Sequence, residues 1–183
     1  MRWDDRLQGL FEDLEQQAEG LALSERDALV AEQRVAEYAE VDLAARLHGS
    51  VGARIGCEVV GVGRVEGELS RVGEGWILVE TDRDEWLVRL PAVLAIRGLA
   101  DRAITADLRR VTTRLGVASA LRQVAEDRAE VLLHLVDRGT LRVLLGRVGA
   151  DFLEVLEVVE VVEAASQRSV LPFTAVAAVR HAP

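Results

Sequence analysis

Three histidines, one cysteine and a few closely spaced carboxylates are the residues best suited to chemistry. His48, His134 and His181 lie far apart along the chain, and none has a second ligand at metal-binding spacing. They read as ordinary surface or strand histidines, so no metal is expected. Cys57 is the sole cysteine, which excludes an intrachain disulfide and a cysteine metal site. Glu66 and Glu68 fall on one face of an expected strand, where a carboxylate pair could do acid–base work. On an exposed strand the same spacing describes a solvated face, which is the reading adopted. Gly61-Val62-Gly63 opens like a dinucleotide fingerprint, but Glu66 occupies the place of the third glycine. Neither a Gly-x-Ser-x-Gly elbow nor a P-loop is present. No catalytic residue and no cofactor are expected, and the chain reads as a non-enzyme.

A different chemistry would use arginine. Residues 100–129 are the locally basic stretch, and Arg114-Leu115-Gly116-Val117-Ala118 resembles the turn and recognition helix of a helix-turn-helix over 104–125. Arg109, Arg110 and Arg114 would then contact phosphate. The apolar residues of the stretch also fit a single connecting helix, and that reading ranks above the DNA-binding regulator.

The formal net charge is −9, and all 22 basic residues are arginine. Residues 1–47 hold 12 acids and 5 arginines, a net of 5 − 12 = −7. The remainder is nearly neutral. Nucleic-acid affinity rests on neutralising phosphates, so an acidic chain is disfavoured as a general binder. No run approaches the ~20 apolar residues of a membrane span. The N-terminus is too charged for a signal peptide. A cytoplasmic protein without membrane contact is expected.

The elements follow from periodicity. Trp3, Leu7, Leu10, Phe11 and Leu14 recur at helical spacing and predict a helix over 3–19 with one apolar stripe. Ser24 to Asp27 resembles a capping box, which predicts a second helix to about His48. From residue 53, β-branched residues and glycine take over. Val65, Gly67 and Leu69 alternate with Glu66 and Glu68, and strands are expected at 76–80, 86–90 and 93–98. Gly67 in mid-strand would permit a sharp bend. A nine-residue stretch beginning Arg71-Val72-Gly73 returns as Arg147-Val148-Gly149, at an offset of 147 − 71 = 76. Ala92 to Arg97 answers to Ala175 to Arg180, at an offset of 175 − 92 = 83. The longer second copy reads as an exposed hairpin guarded by Glu154, Glu157, Glu160 and Glu163. The expected class is α+β: a helical arm or hairpin (1–50), a small β-barrel (51–99), a connecting helix (100–129) and a second small β-barrel (130–183).

At the motif level the two β units resemble the Sm-like family of small SH3-like barrels, of the uncharacterised bacterial kind. Val65-Glu66-Gly67-Glu68-Leu69 matches the opening of that family's first motif, and Ile96-Arg97-Gly98 matches its second. In the second copy Val179-Arg180 fits, with His181 in place of the glycine and Val143 in place of the mid-strand glycine. The resemblance implies rings of barrels and single-stranded RNA, with Arg97 and Arg180 in the nucleotide pocket. Gly73 stands at the motif's acidic position, and Trp76 and Ile77 stand where the family has methionine and asparagine. Ile77 and Leu153 cannot hydrogen-bond a base edge, so the fold could persist without the activity.

The preferred functional reading is a non-catalytic interaction or scaffold module with a protein partner or a capacity to self-associate. Its contacts would come from the Trp3–Leu14 stripe and the β units. RNA binding through Arg97, Arg180 and the connector arginines is the alternative. Trp76 and Phe152 are both expected to be buried.

Overall fold

Alternation along the chain becomes burial in the structure. The computed structural model describes residues 38–104, 115–158 and 167–182, preceded by positions 26, 29, 32, 33, 35 and 36. It divides into two compact units, Met1–Val41 and Asp42–Pro183. In the first unit, described positions between 26 and 39 are helical. The helix expected over 3–19 lies outside the described residues. The second expected helix does not run through to His48. Glu40 is a turn, Val41 and Asp42 are not helical, and the Asp42 carboxylate caps a new helix α1, Leu43–Gly49. An aspartate at this position satisfies an orphan N–H of the first turn. Leu47 of α1 is fully buried in the second unit's core.

Five strands follow: β1 (Arg54–Val59), β2 (Gly63–Gly73), β3 (Trp76–Glu80), β4 (Glu85–Arg89) and β5 (Val93–Arg97). Val65, Gly67 and Leu69 are buried while Glu66 and Glu68 are exposed, as a half-buried strand requires. A Cβ at Gly67 would collide with the Glu80 carbonyl of β3, so glycine lets the two backbones approach closely. Pro91 ends β4 by starting a 3-10 turn, Leu90–Ala92.

Helix α2 (Val117–Glu126) precedes five more strands: β6 (Glu130–Leu135), β7 (Thr140–Val148), β8 (Phe152–Glu157), β9 (Arg168–Pro172) and β10 (Val176–His181). The β6–β7 hairpin turns at Asp137-Arg138-Gly139 as expected, with Arg138 at φ 78° and the Gly139 N–H donating to the Asp137 carboxylate. The β8–β9 connection holds Glu160 and Glu163, which lie outside the described residues.

The expectation of two tandem barrels joined by a helix is overturned. All ten strands form one antiparallel sheet, in the order β5-β1-β2-β3-β4-β10-β6-β7-β8-β9. Helices α1 and α2 are short. Of the connecting helix expected over 100–129, the described residues show α2, while 101–104 are not helical and 105–114 lie outside the described residues. The physical reason lies in the middle of the sheet. An isolated unit would leave the outer N–H and C=O groups of β4 and β10 unpaired. Pairing these strands with each other satisfies both, and each half contributes residues to the other's core. Ala177 and Ala178 of β10 pack in the cluster around Leu47, Leu69 and Ile77. Trp76 and Leu87 pack with Leu121, Leu133 and Leu153.

The halves on either side of this joint have one strand order, β5-β1-β2-β3-β4 and β10-β6-β7-β8-β9. Their loops match as well. Leu90 N–H donates to Gly75 O at 2.9 Å, and Phe173 N–H to Asp151 O at 2.7 Å. Val60 N–H donates to Ala92 O at 2.8 Å, and Val136 N–H to Ala175 O at 3.0 Å.

Candidate functional site

The joint is short. Ala178 faces Val88, Val179 faces Leu87 and Arg180 faces Trp86. A clamp of side chains closes its end. Arg180 Nη1 lies 3.0 Å from Asp84 Oδ2, its guanidinium sits 5.3 Å from the Trp86 ring centroid, and its Nε donates to His134 Nε2 at 3.4 Å. The Trp86 and His134 rings stand 4.9 Å apart. Asp84 and Arg180 are both largely screened from water, so this pair is stronger than an open surface pair. Burial, and then the charge of Arg180, hold His134 below the usual histidine range. Its neutral ring accepts from Arg180. At the other end of β4, Arg89 Nη1 donates to the carbonyls of Phe173 and Val176. Burial lowers its pKa, and the cation stays paired with these carbonyls.

The sheet's two ends are β5 and β9. At an offset of 171 − 88 = 83, β9 is the counterpart of β4, and β5 is the counterpart of β10. Thus the edges left unpaired among the described strands are the same two strand types that meet at the joint. Their side chains differ sharply in burial. Leu87 is 6% exposed in the joint, whereas its counterpart Val170 is 63% exposed. Ala177 is 0% exposed, whereas Leu94 is 74% exposed.

Of the arginines singled out in the sequence, Arg180 is the clamp residue. Arg97 lies on β5 and pairs with Glu58 across the strand at 3.0 Å, exposed to water. The structure therefore separates the two, one at the joint and one at the far edge. Arg109, Arg110 and Arg114 lie outside the described residues, as does the stripe of Trp3, Leu7, Leu10, Phe11 and Leu14. Trp86, Asp84 and His134 were missed as a group. No local pattern could have revealed them, because Asp84 and Arg180 are 180 − 84 = 96 positions apart. The exposed Leu94 and Val170 were legible only as strand residues.

Trp76 is buried as expected, but Phe152 is 38% exposed. The cause is local. Trp76 Nε1 donates to Leu115 O at 2.8 Å, and Glu74 N–H donates to the same carbonyl at 3.1 Å. Leu115 and Gly116 thereby cover the β2–β3 turn. Phe152 folds over Gly149 as Trp76 folds over Gly73; the turn residues Glu74, Gly75, Ala150 and Asp151 are exposed in both halves, and only the aromatic differs, buried at Trp76 and exposed at Phe152.

Chemistry at these sites is limited. Burial raises the Cys57 thiol to about 11, which leaves it protonated and unreactive at neutral pH. No cluster of three metal-ligating side chains occurs among the described residues. The apolar cleft beside the joint, lined by Leu78, Leu87, Val124 and Val131, encloses about 60 Å³. That is well below the ~300 Å³ at which small-molecule sites begin. A wider groove at the Thr81–Asp84 turn is lined by Glu80, Asp82, Asp84 and Glu85 together with Arg83 and His181, a net negative lining that disfavours phosphate. No described helix is long and apolar enough to cross a membrane. No family model and no curated protein matches the chain.

Proposed function

We propose that the protein is a non-catalytic interaction module that adds strands at its sheet edges, and that its partner is a second copy. Strand β9 of one molecule would take up β5 of the next, as β4 takes up β10 inside the chain. One observation carries this reading: residues buried at the internal joint have exposed counterparts on both free edges, Val170 for Leu87 and Leu94 for Ala177. Transferring the joint's register by 83 positions sets Ala95 opposite Leu171, Ile96 opposite Val170 and Arg97 opposite Ser169. Pro172 falls just outside these three residues, so the ladder needs no donor from it. The contact is heterologous, so successive copies add in one direction until a ring closes.

Sedimentation velocity across a concentration series tests the proposal. The wild type should show concentration-dependent association, and Val170→Lys, which places a charge on the edge, should abolish it. A wild type that stays monomeric throughout overturns the reading.

Single-stranded RNA binding is the second reading. The exposed ring of Phe152 favours it, because such rings stack on bases. Against it, Arg97 and Arg180 are each paired with a carboxylate, Glu58 and Asp84. Association that disappears on nuclease treatment would favour RNA.

A further inference from the structure

Among the described residues, the β7–β8 turn is touched by Arg122 of α2, which donates to the Val148 and Gly149 carbonyls, but no backbone segment lies over it; its counterpart shows what such a segment looks like. In the first half, the β2–β3 turn is covered by Leu115 and Gly116, the residues leading into α2. Leu115 O accepts from Glu74 N–H and from Trp76 Nε1, and Gly116 forms a parallel bridge with Glu74. Gly116 is the N-cap of α2, so the covering carbonyl stands one residue before a helix cap. The covering segment and the covered turn therefore belong to opposite sides of the β4–β10 joint.

In the second half the turn has the same positions and the same aromatic placement, although Gly75 is at φ 78° and its counterpart Asp151 is not at positive φ. Gly149, Ala150, Asp151 and Phe152 stand at Gly73, Glu74, Gly75 and Trp76, at an offset of 149 − 73 = 76. The Phe152 ring lies over Gly149. Trp76 is 8% exposed and Phe152 is 38% exposed. A phenyl ring lacks the indole N–H, which leaves the Ala150 N–H as the donor corresponding to Glu74.

We infer that this turn docks the segment leading into α1 of a second copy, with Val41 in the place of Leu115 and Asp42 in the place of Gly116. Asp42 is the N-cap of α1, so Val41 stands one residue before a cap, as Leu115 does. The inference rests on the edge-to-edge association proposed above. If β5 of one molecule joins β9 of another, the operation that relates the two halves at the internal joint carries the start of α1 to the β7–β8 turn. Each intermolecular joint would then have two parts, a short strand ladder and an aromatic turn under a strap. The strap would also supply the cover that Phe152 lacks.

Two measurements test it. First, chains carrying only Val41→Cys are mixed with chains carrying only Ala150→Cys, and a short bis-maleimide is added. Cys57 is buried and does not react, so a cross-linked heterodimer reports the strap on the turn. Second, sedimentation velocity compares wild type with Phe152→Ala and Phe152→Trp. Association should weaken about fivefold or more in Phe152→Ala and strengthen in Phe152→Trp, which restores the indole donor. Heterodimer formation with this order of affinities supports the inference. If the wild type associates but no heterodimer forms, or the Phe152 variants match wild type, the strap is wrong and the edge pairing stands. If the wild type does not associate at all, both proposals fall.

Discussion

The middle of the sheet and its two ends are made of the same pair of strands, yet they behave as different surfaces. At the middle, β4 and β10 bury Leu87, Val88, Ala177 and Ala178 and close with Arg180 on Asp84, Trp86 and His134. At the ends, the equivalent positions expose Leu94 and Val170, and Arg97 reaches only its own neighbour Glu58. The clamp is not repeated at the ends: Gln167 stands at the position of Asp84 and Ser169 at that of Trp86, each at the offset of 83. The backbone donors and acceptors are alike, because any strand edge offers them. The difference lies in side chains. At the internal joint a carboxylate and an indole hold the arginine, and the proposed pairing at an edge without them is expected to be weaker.

This contrast can be broken at the middle first. Asp84→Ala leaves Arg180 in the joint without its carboxylate and should cost about 2 kcal/mol, since hydrogen bonds to charged groups are worth roughly 1.5–3 kcal/mol. The matching change at the edge, Glu58→Ala, removes a partner of an exposed arginine and should cost less than about 0.5 kcal/mol. Urea unfolding of the two variants checks the ratio, and equal costs would show that the joint's clamp has no special strength.

The contrast can also be erased from the other side. Ser169→Trp together with Gln167→Asp gives the β9 edge the residues that hold Arg180. Arg97 of a second copy should then find the same clamp. Association is expected to tighten about tenfold, or ~1.4 kcal/mol, as read by sedimentation velocity. Unchanged affinity would mean that β9 and β5 do not meet in the joint's register.

The smallest effect is on pH. Burial and Arg180 hold the folded-state value of His134 below the ordinary 6.5. A histidine kept neutral in this way contributes stability that is present above its unfolded value. That contribution is lost as pH falls through the folded value, when the ring gains charge beside Arg180. The urea midpoint should therefore decline from neutral pH toward about pH 5.5. In His134→Gln the decline should be shallower, since glutamine offers an acceptor and does not charge. Parallel curves for the two proteins would remove His134 from the clamp.

Much of the sheet was legible in the residues. Alternation at Val65–Leu69 gave the buried face of β2, Pro91 gave the end of β4, and Asp137-Arg138-Gly139 gave the β6–β7 turn. Each is a local event, decided by backbone geometry or by which side of one strand is apolar. The contrast between Trp76 and Phe152 was not legible, because both stand after a glycine turn at the start of a strand. Their different exposure comes from Leu115, which is 115 − 76 = 39 positions from Trp76. The helix boundary at Asp42 was missed for the opposite reason. Helical spacing continued past it, and a capping aspartate inside a charged run gives a weak signal.

By itself the sequence determined the strands, most of their turns and the likeness between the two halves, together with the expectation that the chain carries no catalytic group. Tertiary structure alone decided that β4 would join β10, that ten strands would form one sheet over two cores that share residues across the joint, and that Leu94 and Val170 would be left outside. The reason is physical. Alternation states which face of a strand is buried, but every strand edge presents the same backbone donors and acceptors. Choosing a neighbour therefore depends on side chains that meet only after folding, such as Asp84 and Arg180.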